Sequence, residues 1–175
     1  MKSTTLIGSF ITALALTTTV WAGDVTVKLS GVHLCCNACV KGVEKAVSSA
    51  KGVTTVVDKE GGVVAFHGAD KTTVQKGIDA LVAGGYFGVS DDPSLKPQAH
   101  SGGSQGKVQS LNVEGVHLCC GKCVKAVNDA VTKVKGVKAT TAEKNAPSFA
   151  ITGDFQAKDV YAALEKAGFS AKAGK

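Results

Sequence analysis

Val25, Val27 and Leu29 alternate with Thr26, Lys28 and Ser30, the two-residue period of a strand with one buried face. Val40, Val43, Val47 and Ala50 then recur at helical spacing. Two short apolar runs follow, near Val53–Asp58 and Val63–Phe66, with Glu60-Gly61-Gly62 between them as a hairpin turn. Asp70 can cap a second helix carrying Val74, Ile78, Leu81 and Val82. A last short strand is expected after Gly85.

The same order is written again further along. Gly31-Val-His-Leu-Cys-Cys-Asn-Ala-Cys-Val-Lys returns as Gly115-Val-His-Leu-Cys-Cys-Gly-Lys-Cys-Val-Lys at an offset of 84 residues. The second copy has its helical run at Val124, Val127, Val131 and Val134, a cap candidate at Asp154, apolar positions at Val160, Leu164 and Ala167, and a last strand after Gly168. Gly52 and Gly136 are read as the stops of the first helix in each copy. Each copy therefore reads β-α-β-β-α-β, which predicts an α+β fold of two tandem ferredoxin-like βαββαβ domains, each an antiparallel sheet with helices on one face.

The boundaries follow from composition. Residues 1–22 open with Met1-Lys2, continue through an apolar core from Leu6 to Leu16, and end in Val20-Trp21-Ala22. That pattern predicts a secretory signal peptide cleaved after Ala22. The apolar run is short and Thr-interrupted, which disfavours a membrane anchor. Domain 1 is expected over 23–90, a linker over 91–106 with Pro93, Pro97 and a Gly-Gly-Ser run, and domain 2 over 107–175. The expected location is a periplasm or the extracellular space, where thiols tend to oxidise.

Charge narrows the function classes. The net charge of +6 is carried by Lys alone, with no Arg in the 175 residues. Bidentate Arg contacts to phosphate or guanine are thus absent, so no nucleic-acid partner is expected. Residues 107–175 hold eleven Lys against six acids, whereas 24–92 hold seven against eight. This basic surface reads as a solvated face before it reads as a docking face. No Ser/His/Asp set, phosphate loop or paired carboxylates stand out, and a non-enzymatic protein is expected.

The chemistry rests on cysteine. Cys35, Cys36 and Cys39 sit where the first strand hands over to the first helix, and Cys119, Cys120 and Cys123 repeat the arrangement. Cys-x-x-Cys spacing puts one thiol in the loop and the next about one helical turn on, facing the same small volume. Helix-start amides favour thiolates. Thiolates select Cu(I), Zn(II), Cd(II) or Hg(II). His33 and His117 are near enough to add a nitrogen ligand. Three thiols per copy is an awkward number for structural disulfides, and adjacent cysteines bridge poorly. His67 and His100 have no counterpart in the repeat and read as surface residues, and Tyr86 and Phe169 as core plugs.

Cys36-Asn-Ala-Cys39-Val-Lys-Gly-Val-Glu-Lys-Ala-Val47, then Gly52-Val53 and Gly85-Tyr86, resembles the heavy-metal-associated domain. The second copy matches through Cys120-Gly-Lys-Cys123-Val-Lys-Ala-Val127, Gly136-Val137 and Gly168-Phe169. The family includes copper chaperones, modules of metal-pumping ATPases and a periplasmic mercury-binding protein. The resemblance implies a βαββαβ fold and metal binding by Cys36, Cys39, Cys120 and Cys123. It also places Tyr86 or Phe169 near the metal. The chain departs from the family pattern between Gly31 and Cys36, which is two residues longer, has Leu34 where a Met is usual, and gains His33 and Cys35. Two thiolates suit linear Cu(I) or Hg(II), three suit trigonal Cu(I), Hg(II) or Cd(II), and three with a His suit Zn(II).

The expectation is a protein that captures a soft metal ion, Cu(I) first and Zn(II) second, at each Cys cluster. It would hold the ion or pass it by thiolate exchange to a metal-transporting membrane protein or another metallochaperone. The ligand set is Cys36, Cys39, Cys120 and Cys123, extended by Cys35, Cys119, His33 and His117. The alternative is a thiol–disulfide exchange protein using the same Cys-x-x-Cys pairs.

Overall fold

The computed structural model describes residues 24–98 and 106–174; the expected signal peptide lies outside them. The first unit runs β1 (Val25–Ser30), α1 (Asn37–Val47), β2 (Val53–Asp58), β3 (Val63–Gly68), α2 (Lys71–Ala83) and β4 (Val89–Ser90). The second runs β5 (Lys107–Glu114), α3 (Gly121–Val131), β6 (Val137–Thr140), β7 (Ser148–Gln156), α4 (Ala157–Lys166) and β8 (Lys172–Ala173). Each unit is one four-stranded sheet, ordered β2-β3-β1-β4 and β6-β7-β5-β8, with antiparallel pairing throughout. The fold is the α+β ferredoxin-like pair that the sequence predicts.

Burial explains the arrangement. Val27 and Leu29 of β1 and Val64 and Phe66 of β3 face the helices and are fully buried. The helices answer with stripes of Cys39, Val43 and Val47 on α1 and Val74, Ile78 and Leu81 on α2. In the second unit the stripes are Cys123, Val127 and Val131 on α3 and Val160, Tyr161 and Leu164 on α4. The buried stripe of the first helix in each unit thus begins at a cysteine, one position before the Val40 and Val124 that periodicity alone picks out. Each fully buried Val, Leu or Phe contributes on the order of 1.5–3 kcal/mol of transfer free energy, and the same burial fixes the direction in which Cys39 and Cys123 point.

Three local readings change. Asp70 does cap α2, accepting the Thr73 amide at 2.7 Å. Asp154 caps nothing. Strand β7 runs on to Gln156, so α4 starts later, and the Asp154 carboxylate instead accepts Lys107 Nζ at 2.8 Å. Gly52 and Gly136 do not stop α1 and α3, which end at Val47 and Val131. They lie farther on, at φ 81° and 93°, where a left-handed backbone turns the chain into β2 and β6. The expected linker also begins attached. Asp91 pairs with Lys28 through both backbone and carboxylate, Leu95 is buried, and Gln75 Nε2 donates to the Lys96 carbonyl at 2.9 Å.

The buried and open faces make opposite demands on substitution. Ile78→Ala removes a fully buried side chain and should lower the unfolding free energy of the first unit by about 2–5 kcal/mol in urea titration. Val56→Thr, on a residue 62% exposed, should change it by less than about 0.5 kcal/mol.

Candidate metal centre

The loops carrying the chemistry are extended. Gly31 and Gly115, at φ 76° and 75°, turn the chain out of β1 and β5. Val32 and Leu34 then point into the first core, and Val116 and Leu118 into the second. Alternation leaves His33 and Cys35, and His117 and Cys119, facing the other way. Leu34 fills an inward position, which accounts for an apolar residue there. At the end of each loop Cys36 and Cys120 take the N-cap position of α1 and α3 with extended backbone and no side-chain capping bond. Both residues thus stand at the first helical turn, the positive end of the helix dipole.

The two units meet face to face across these loops. Tyr86 and Phe169 form an antiparallel bridge. Phe87 N–H donates to the Gly168 carbonyl at 3.0 Å, and Ser170 N–H to the Gly85 carbonyl at 3.1 Å. Each histidine stacks on the aromatic of the opposite unit. His33 lies 4.5 Å from Phe169 and His117 lies 4.4 Å from Tyr86, centroid to centroid. Gly85 and Gly168 have φ 89° and 86°, and a Cβ on either would strike the backbone of the opposing Gly-Val-His loop. Glycine is thus required there for both conformation and approach.

That docking brings all six thiols together. Between the units, Cys35 Sγ lies 3.4 Å from Cys120 and 3.5 Å from Cys123, and Cys39 lies 3.5 Å from Cys119 and 3.8 Å from Cys123. Cys36 lies 3.8 Å from Cys119. Within the units, Cys39 lies 3.7–3.8 Å from Cys35 and Cys36, and Cys123 lies 3.7–3.8 Å from Cys119 and Cys120. All six cysteines are free. Triads whose ligand atoms lie within 4.8 Å of one another draw on both units: Cys35, Cys36 and Cys120 form one, and Cys36, Cys39 and Cys119 another. His33 offers a ring nitrogen within the same distance of Cys35 and Cys123. The eight residues expected from sequence therefore gather at one place, where the reading had a separate site in each copy.

Electrostatics divides the thiols. Cys39 is held far below the usual thiol range, first by its contact with Cys123, with His117 and Cys119 adding to the shift. Cys120 is lowered to about 6, chiefly by the Cys123 amide. Burial pushes Cys35 up to about 12 and Cys119 up as well. Cys123 is raised by its contact with Cys39 and by burial. The shifts within the one cluster thus run in opposite directions. His33 is lowered by burial, and the Nε2 atoms of His33 and His117 are buried without a hydrogen-bond partner. Cys39 and Cys123 are fully buried, while Cys36 and Cys120 stay partly exposed at the rim. His67 lies on β3 and bonds Thr26 Oγ1 at 2.9 Å, away from the sulfurs; His100 falls outside the described residues.

Sequence reasoning placed Tyr86 and Phe169 as core plugs, which they are, but missed their second role as platforms for the histidines. A signal for it existed. Tyr86 donates its hydroxyl to the Cys39 carbonyl at 2.9 Å, and a Cβ at Gly42 would overlap that hydroxyl and crowd His117. The counterpart of Tyr86 is Phe169, without a hydroxyl, and the counterpart of Gly42 is Ala126. The two differences between the copies compensate each other.

No family model matches the sequence, and no curated protein matches it. Among solved structures the chain is similar to a copper-binding domain from HMA7, a P-type ATPase, at 21% identity over 39% of this chain and 96% of that one, TM-score 0.36. It is similar to oxidized MerP from Ralstonia metallidurans CH34, at 19% identity over 40% of this chain and 100% of that one, TM-score 0.36. It is also similar to the N-terminal soluble domains of Bacillus subtilis CopA, at 15% identity over 87% of this chain and 95% of that one, TM-score 0.33. Among the described residues no helix is long and apolar enough to cross a membrane.

The paired differences give a double-mutant cycle. Gly42→Ala should destabilise the protein by about 1–3 kcal/mol through overpacking. In a Tyr86→Phe background the same change should cost well under half as much, measured by chemical denaturation of the four variants.

Proposed function

We propose that the protein is a non-enzymatic carrier of soft metal ions, with Cu(I) as its first cargo and Zn(II), Hg(II) or Cd(II) as competitors. The observation that carries this reading is the gathering of six free thiols in triads of metal-binding size. Thiolate sulfur is a soft donor, and three of them around an ion suit Cu(I) better than a hard cation. Cys36 and Cys120 at the rim give an incoming thiolate a place to attack, so the ion leaves by ligand exchange rather than by unfolding. The buried Cys39 and Cys123 hold it meanwhile. The expected leader puts this work in the periplasm or outside the cell. A metal-transporting membrane protein or another metallochaperone would give or take the ion.

Anaerobic titration of the reduced protein, residues 23–175, against Cu(I) chelators tests the reading. Sub-micromolar binding is expected, lost when Cys36, Cys39, Cys120 and Cys123 are all changed to Ser with the fold retained, because sheet and helices carry their own cores. Absence of binding, together with insulin reduction that survives chelation, would assign the thiols to disulfide exchange.

A further inference from the structure

The sulfur separations have a definite shape. Nine of the pairs stand 3.4–3.8 Å apart. The pairs Cys35–Cys36, Cys36–Cys120 and Cys119–Cys120 lie within 4.8 Å. Together these are the edges of an octahedron in which Cys35 stands opposite Cys119, Cys36 opposite Cys123, and Cys39 opposite Cys120. We propose that this octahedron is a mould for a single tetranuclear Cu(I) cage, shared by the two units, in which every thiolate bridges two ions. The proposal rests on the metal-binding reading above and goes beyond it in nuclearity.

The shape selects the ion. The faces of an octahedron are triangles, and a trigonal ion fits a triangle of thiolates. Any four corners include an opposite pair, about 5 Å apart for these edges, so no four sulfurs alone make the tetrahedral shell that Zn(II) prefers, and Zn(II) would have to draw a nitrogen from His33. Bonds of about 2.3 Å, the usual metal–thiolate length, require sulfurs roughly 4.0 Å apart in a trigonal plane, so the cage needs to open by only a few tenths of an ångström. Four alternate faces use each corner twice. One such set is Cys35/Cys36/Cys120, Cys36/Cys39/Cys119, Cys119/Cys120/Cys123 and Cys35/Cys39/Cys123; the first three are triads of metal-binding size, and the last has edges of 3.5–3.8 Å.

The chemistry balances without an oxidant. Every thiol still protonated loses its S–H proton to solvent, each of the six sulfurs forms two Cu–S bonds, and copper stays Cu(I). The filled cage carries two negative charges in excess. The first-turn amides of α1 and α3 face it with positive dipole. The buried, unpartnered Nε2 atoms of His33 and His117 can donate N–H to its sulfurs. The stacks on Phe169 and Tyr86 hold those rings in place.

The test is anaerobic titration of the reduced protein with Cu(I) alone, followed by native mass spectrometry and X-ray absorption. The expected result is a jump from the metal-free protein to about four ions per chain with one- to three-ion states scarce. It should come with a copper–copper vector near two-thirds of a sulfur–sulfur edge, roughly 2.6 Å for a cage of metal–thiolate bonds. Cys119→Ser with Cys120→Ser, both partly exposed, should abolish the copper–copper vector altogether while circular dichroism stays that of the parent. Filling at one and then two ions with no copper–copper vector would overturn the shared cage and leave the thiolate carrier standing. No copper binding at all would overturn both.

Discussion

Everything at the candidate metal centre depends on how closely two backbones approach at the glycine turns after α2 and α4. Gly85 and Gly168 lie against the opposing Gly-Val-His loops, at positions where one added carbon would collide with main chain. Main chain cannot rotate away as a side chain can, so the approach is all or nothing. The stacked rings, the bridge between Tyr86 and Phe169 and the meeting of the sulfurs all follow from it. Helix packing supplies the other constraint. The stripes that bury Val43 and Val127 also set Cys39 and Cys123 inward. Two ordinary devices, a close-packed turn and an amphipathic helix, thus place six thiols with little freedom.

Much of the fold was legible in the sequence because its signals are local. Periodicity two gave the strands, helical spacing gave the helices, and the repeat doubled every signal. The misreadings were also local. Asp154 has the residue type of a cap but not the position, because β7 continues past it. Gly52 and Gly136 mark a turn that comes after the helix end rather than at it. Propensity identifies a residue that can cap or turn; the register of the neighbouring strand decides where it does so.

The candidate ligands were legible as residue types and illegible as an assembly. Nothing in a tandem repeat says that its copies face each other, since that depends on contacts between distant segments. The nearest sequence trace is indirect: Gly42 with Tyr86 in one copy, Ala126 with Phe169 in the other. The hydroxyl needs room, the glycine provides it, and the absence of one allows the absence of the other. The electrostatic result also depends on the assembly. Cys39 and Cys120, the two thiols whose pKa values are lowered, belong to different units, and the largest cause for Cys39 is its contact with Cys123 of the other unit.

The attachment of the segment after β4 limits how far the halves can part. Asp91, Leu95 and Lys96 are fastened to the first unit, and the Gly106 carbonyl accepts the Ala157 amide at 3.1 Å in the second. Ten residue steps join Lys96 to Gly106, and covalent geometry limits that span to about 35 Å. The two halves therefore stay in each other's neighbourhood by covalent connection alone. Reclosing is then independent of how much protein is present, which a pair of untethered modules could not achieve in dilute surroundings.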